Sequence, residues 1–250
     1  MVAKVHKELD APEAQNVAAT LIVGFFIFFS GTFMITLLGI GMEENRLFLS
    51  WIDIGFHLLC LVVIVPLMRE FLSLSWMTVG SDQKTAISRS VLIGIIVLVY
   101  ATMLPQIPLP EALEPYRWCS ESAMPLLTHD LNNTSAYFVQ LNPVFGTICA
   151  VLVAPLVTCC LFYATAFAKG YNVRPWLGYV LLAAATLFVP IATGIFGWWI
   201  PEQQFAMWAV RMPVHLLYCK LYADTDNIWM PILTQAVVNL IACLIVIFLW

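Results

Sequence analysis

Residues 143–168 read PVFGTICAVLVAPLVTCCLFYATAFA, an apolar run without one charged side chain. The hydrocarbon core of a bilayer takes about 20 such residues to cross. Within lipid the backbone has no water to bond to, so such a run must close its hydrogen bonds internally, as a helix. Six further segments share this character, at about 16–42, 47–68, 88–103, 176–200, 203–221 and 229–250. The segment at 203–221 is the least regular, because Arg211, Pro213 and His215 interrupt it. Lys4 and Lys7 precede the first segment, but its apolar stretch is too long for a signal-peptide core. The chain therefore reads as all-α, a polytopic integral membrane protein of about seven transmembrane helices.

Composition removes the alternatives. Of the 250 residues 62% are apolar and 10% are charged, whereas soluble domains carry roughly 25% charged residues. The net charge of −4 comes with no basic run, and the aromatic residues sit inside apolar stretches. Nucleic-acid binding is excluded on that ground. Cys60, Cys149, Cys159, Cys160, Cys219 and Cys243 lie within apolar segments, and Cys119 alone lies in a polar connection. An odd count without metal-knuckle spacing reads as small buried hydrophobes, with neither a disulfide framework nor a metal site.

Orientation follows from basic residues in the short connections. With the amino terminus cytoplasmic, Lys4, Lys7, Arg69, Lys84, Arg89, Lys169, Arg174 and Lys220 fall inside, against Arg46 and Arg117 outside. The expected location is the plasma (inner) membrane, multi-pass, with the carboxyl terminus outside. The longest connection, 103–142, then faces outward. Pro105, Pro108, Pro110 and Pro115 break any helix at its start, and Asn132-Asn133-Thr134 fits a glycosylation pattern.

Ionisable residues at membrane depth are costly, and each is a functional candidate. Asp53 and His57 lie four apart on one helix face, and Arg211 and His215 repeat that spacing. An Asp53–Arg211 contact between helices is one expectation; a transport path lined by Asp53, His57 and Arg211 is another. Gln235 and Asn239 form a third such pair, for which a hydrogen bond between helices is the default. The sequence holds no HExxH, no GxSxG, no phosphate-cradling glycine loop and no paired intramembrane carboxylate.

Three segments carry a resemblance. The carboxyl-terminal stretch LLYCKLYADTDNIWMPILTQAVVNLIACLIVI, residues 216–247, has a helix end, a short turn, then Met230-Pro231-Ile232-Leu233 leading into a final helix. Val153-Ala154-Pro155-Leu156-Val157-Thr158-Cys159-Cys160-Leu161-Phe162-Tyr163 is the second segment, and Leu187-Phe188-Val189-Pro190-Ile191-Ala192 the third. In this order and spacing they resemble the CPBP intramembrane proteases, the family of CAAX-protein proteases and bacteriocin-processing enzymes. The resemblance covers about residues 143–245. It implies a CPBP-like four-helix core over 143–250, preceded over 1–142 by three transmembrane helices and the outward loop.

The resemblance also implies a lost reaction centre. Where the family has two glutamates this chain has Thr158 and Cys159, and Tyr163 stands for the arginine. Ala192 and Gln235 stand for the two histidines, and Asn239 alone is retained. Peptide hydrolysis needs a general base or a metal near the bond. After Asp130 the carboxylates are Glu202, Asp224 and Asp226, all at span ends. The expected function is that of a catalytically silent homologue without cofactor. It would bind or regulate a membrane or envelope protein or peptide in a groove lined by Thr158, Cys159, Tyr163, Gln235 and Asn239. The alternatives are an active or altered peptidase and a small transporter or channel.

Overall fold

The structure is a computed structural model that describes residues 9–39, 46–78, 83–103, 139, 142–196 and 201–249. Among these residues it is all-helical, with eight helices. They are α1 Ala14–Gly39, α2 Arg46–Leu67, α3 Arg69–Thr78, α4 Gln83–Met103, α5 Pro143–Val173, α6 Pro175–Phe196, α7 Pro201–Thr225 and α8 Trp229–Leu249. Each of the seven expected apolar segments is helical over its described part. By length and apolar content α4 and α5 are able to cross a membrane, and the bent pair α2–α3 makes a third if it is counted as one span. The connection expected to face outward, with Cys119 and Asn132, lies outside the described residues apart from Val139 and Asn142.

Prolines set several of the boundaries. Pro143 opens α5 at a position where its missing N–H costs nothing. At the other end, Arg174 is extended (φ −155°, ψ 136°), as a residue before proline prefers, and α6 starts at Pro175. Pro66 sits in the last turn of α2, and the chain bends by 74° at Met68 into α3. That connection was expected as a cytoplasmic loop; its residues form a further helix. The polar interruptions at Arg211, Pro213 and His215 do not break α7, where Pro213 is exposed.

Position in the bundle separates α5 from the other helices. It packs against α1, α2, α6, α7 and α8, and 61% of its most apolar stretch is buried inside the bundle, against 22% for α4. The main buried cluster runs from Leu9 to Val238 and draws on both sides of residue 142. Phe25 of α1 reaches in and sets its ring edge-on to Phe188 at 4.9 Å and to Phe162 at 6.2 Å. The α5–α6 turn closes backbone to backbone. A Cβ on Gly170 would lie 2.9 Å from the Cα of Gly178, and one on Gly178 would lie 2.8 Å from the carbonyl oxygen of Phe167.

α5 is also irregular. Over Cys149–Val153 and Cys159–Phe167 its hydrogen bonds run from residue i to i+5, so these turns are π-helical. The Ala154 N–H donates to Cys149 O, and the Ala168 N–H reaches Tyr163 O. Pro155 accounts for the first widening. It offers no N–H, and its ring would collide with the carbonyl one turn back if the helix kept its regular pitch. In the second stretch the Thr165 hydroxyl donates to the Leu161 carbonyl one turn back.

The segment before α1, the α5–α6 turn and the α7–α8 turn meet at one end of the bundle. The Asn172 side chain clasps the Leu9 backbone, accepting from its N–H at 2.7 Å and donating to its carbonyl at 2.9 Å. The Asp10 N–H donates to Asp226 Oδ1 at 2.8 Å, and the Tyr222 hydroxyl donates to the Asp10 carbonyl. Asp226 takes the left-handed conformation (φ 52°) that ends α7. Asn227 then starts α8 by accepting the Trp229 N–H at 2.8 Å. The orientation expected from the basic residues places these segments on one side.

Candidate functional site

The polar groups at the middle of α5 meet partners on α7 and α8. The Tyr163 hydroxyl lies 2.8 Å from His215 Nδ1, with the two rings edge-to-face at 5.9 Å. An imidazole carrying its proton on Nε2 accepts the phenol proton at that distance. Tyr163 is fully buried and His215 nearly so. Both residues were singled out in the sequence, one by its motif position and one by its depth, but neither spacing nor motif joins them.

One turn earlier, the Cys159 thiol donates to Gln235 Oε1 at 3.7 Å, a long sulfur bond between α5 and α8. Thr158 beside it is buried, and Gln235 is half-buried. The expected interhelical hydrogen bond from the Gln235–Asn239 pair is therefore present, and Asn239 makes a second. Its Nδ2 donates to the Ala150 carbonyl at 2.7 Å.

The reason for that second bond is local. In a regular helix Ala150 O would accept from the Ala154 N–H, but that donor goes to Cys149 O. The next donor along would come from residue 155, which is proline. The carbonyl is stranded in an apolar interior, where an unpaired polar group costs about 1–3 kcal/mol. Asn239, 1% exposed, supplies the missing donor. Asn239 thus completes a bond that the widened turn of the facing helix leaves open.

The remaining sequence candidates are placed as follows. Arg211 is half-buried on α7, one turn before His215. Asp53 and His57 fall on α2 and Ala192 on α6; their side chains lie outside the described residues, and so does the expected Asp53–Arg211 contact. The six cysteines of the apolar segments are free thiols, all buried. Among the described residues no three His, Cys, Asp or Glu side chains are grouped to hold a metal ion.

The sequence reading missed Asn227. It is buried, accepts from the Ser75 hydroxyl at 3.2 Å, and donates to the Ser75 carbonyl at 2.7 Å and to Thr78 Oγ1 at 3.0 Å. With Trp229 Nε1 on the Leu72 carbonyl at 2.8 Å, it locks α3 to the α7–α8 turn. The signal was there in part: an Asn two residues before an apolar helix is a capping pattern.

Chemically the seam pairs thiol with amide, phenol with imidazole, and amide with carbonyl. Each pair ties α5 to a neighbouring helix. No protein-family model, curated protein or solved structure matches this chain.

Proposed function

We propose that this chain is a catalytically silent relative of the CPBP intramembrane proteases, crossing the membrane about seven times, that binds a membrane or envelope protein. The observation that carries the reading is the pairing of Cys159 with Gln235, 76 residues apart and 3.7 Å from sulfur to oxygen. The resemblance assigns these positions to a glutamate and a histidine of a reaction centre. Their juxtaposition across α5 and α8 is what a CPBP-like core would produce, and their chemistry is neutral. Thr158 and Tyr163, at two further positions of that centre, are buried beside them. Fold and chemistry are separable, and such a core keeps its shape without the reactive groups. The seam reaches the surface at Gln235, the half-buried member, and a partner segment would meet it there.

The test is photocrosslinking of the full chain in its native membrane. A photoreactive residue at position 235 is compared with one at Val180, which is exposed on α6. A discrete protein adduct from 235, absent from 180 and retained with Cys159→Ala, is the expected result. Peptide hydrolysis abolished by Thr158→Ala or Cys159→Ala would replace this reading with that of a working peptidase. Adducts with lipid alone at both positions would end the partner-binding reading.

A further inference from the structure

The geometry points to α3 as a helix that lies in the membrane–water interface, and we propose that its exposed face binds the lipid surface. The 22 residues of α2 rise about 33 Å at 1.5 Å per residue. That length crosses a hydrocarbon core of about 30 Å without help. Adding α3 to the same span is therefore unnecessary, and Arg69, Glu70, Ser73 and Ser75 make it unsuitable. The 74° bend turns α3 away from the α2 axis and toward the plane of the membrane.

One face of α3 is closed by the protein. Phe71, Leu72 and Ser75 are buried, and Asn227 and Trp229 hold the backbone at Ser75 and Leu72. The helix is consequently fixed in direction rather than hinged. Its other residues remain exposed, including Leu74 at 64% and Met77 at 77%. In the chain they follow the exposed α2 residues Leu59, Val62 and Pro66.

Position identifies the occupant. Leu59 and Val62 lie exposed on an apolar helix, and α3 leaves the end of that helix across its axis. There α3 presents the mixture that suits the headgroup boundary: apolar Leu74 and Met77, charged Arg69 and Glu70, and a tryptophan pair. Trp76 sets its ring edge-on to Trp229 at 5.0 Å, and Trp76 itself is exposed. Tryptophans are enriched at this depth of the membrane. A short amphipathic helix with such a face binds through buried apolar area.

The experiment places a photoreactive residue at Met77, or in a second variant at Leu74, of the full chain reconstituted in phosphatidylcholine–phosphatidylglycerol liposomes. Val62 serves as the reference for lipid contact. Intact-mass measurement after irradiation is expected to give adducts of one phospholipid at 77 and 74, within about threefold of the yield at Val62. Adducts at Val62 with none at 77 or 74 would put this face in water and overturn the proposal. A covalent dimer from 77 or 74 would assign the face to a second copy, and would overturn it equally.

Discussion

Tyr163 and His215, 52 residues apart, share a 2.8 Å hydrogen bond that joins the centre of α5 to α7. It originates in the π-helical stretch of α5, where Tyr163 is fully buried inside the bundle. The bond's contribution is open to measurement by a double-mutant cycle. Tyr163→Phe and His215→Ala, separately and together, should show a coupling on the order of 1 kcal/mol. Unfolding in detergent micelles supplies the four free energies, and strict additivity would remove the pair from the account.

Asn239 gives a sharper expectation. Its amide donor answers a carbonyl that Pro155 and the widened turn leave without a partner. Asn239→Ala should destabilise the folded chain by roughly 1–3 kcal/mol. The double variant Pro155→Ala with Asn239→Ala tests the cause, because an alanine N–H restores an in-helix donor. It should recover part of the loss in the same unfolding measurement; no recovery would dissociate Asn239 from the proline.

These two relationships show what was legible and what was not. The apolar runs mark their helices because a long apolar run closes its backbone hydrogen bonds within itself as a helix, and each expected segment starts or ends within a few residues of its helix. Pro143 and Pro175 mark boundaries for reasons readable in the chain. The register change within α5 is different, since it depends on how one proline is accommodated while five helices press on its surroundings. Tyr163, Gln235 and Asn239 were recognisable as polar groups needing partners; which partner each found depends on that register. α3 escaped notice because REFLSLSWMT mixes charges and serines with apolar residues, and its packing face comes from contacts with Asn227 and Trp229, about 150 positions away in the chain.

Asn227 separates two duties that a pair of variants can resolve. It caps α8 by accepting the Trp229 N–H, and it holds α3 through Ser75 and Thr78. Asn227→Ser keeps a capping oxygen but lacks the amide donor, whereas Asn227→Ala lacks both. Amide exchange across 69–78 should accelerate in both variants. Exchange in the first turn of α8 should accelerate in the alanine variant only. Unchanged exchange over 69–78 would mean that α3 is held by its apolar face alone.

Three glycine-to-alanine changes should give three different results, because the new methyl meets different neighbours. At Gly55 nothing lies within 4 Å, and the residue is exposed on α2. Gly55→Ala should be neutral or stabilise by up to about 1 kcal/mol through helix propensity. At Gly24 the methyl would lie 2.5 Å from Leu161 Cδ1, the tip of a side chain able to turn aside, so a small loss is expected. At Gly178 it would meet the Phe167 carbonyl oxygen at 2.8 Å and the backbone nitrogen of Tyr171 at 2.9 Å. Backbone cannot step aside without separating α6 from α5, so Gly178→Ala should cost about 1–3 kcal/mol or prevent assembly. Thermal unfolding in one detergent should order the variants Gly55→Ala, Gly24→Ala, Gly178→Ala from most to least stable, and a Gly178→Ala protein as stable as the parent would refute the close approach of α5 and α6.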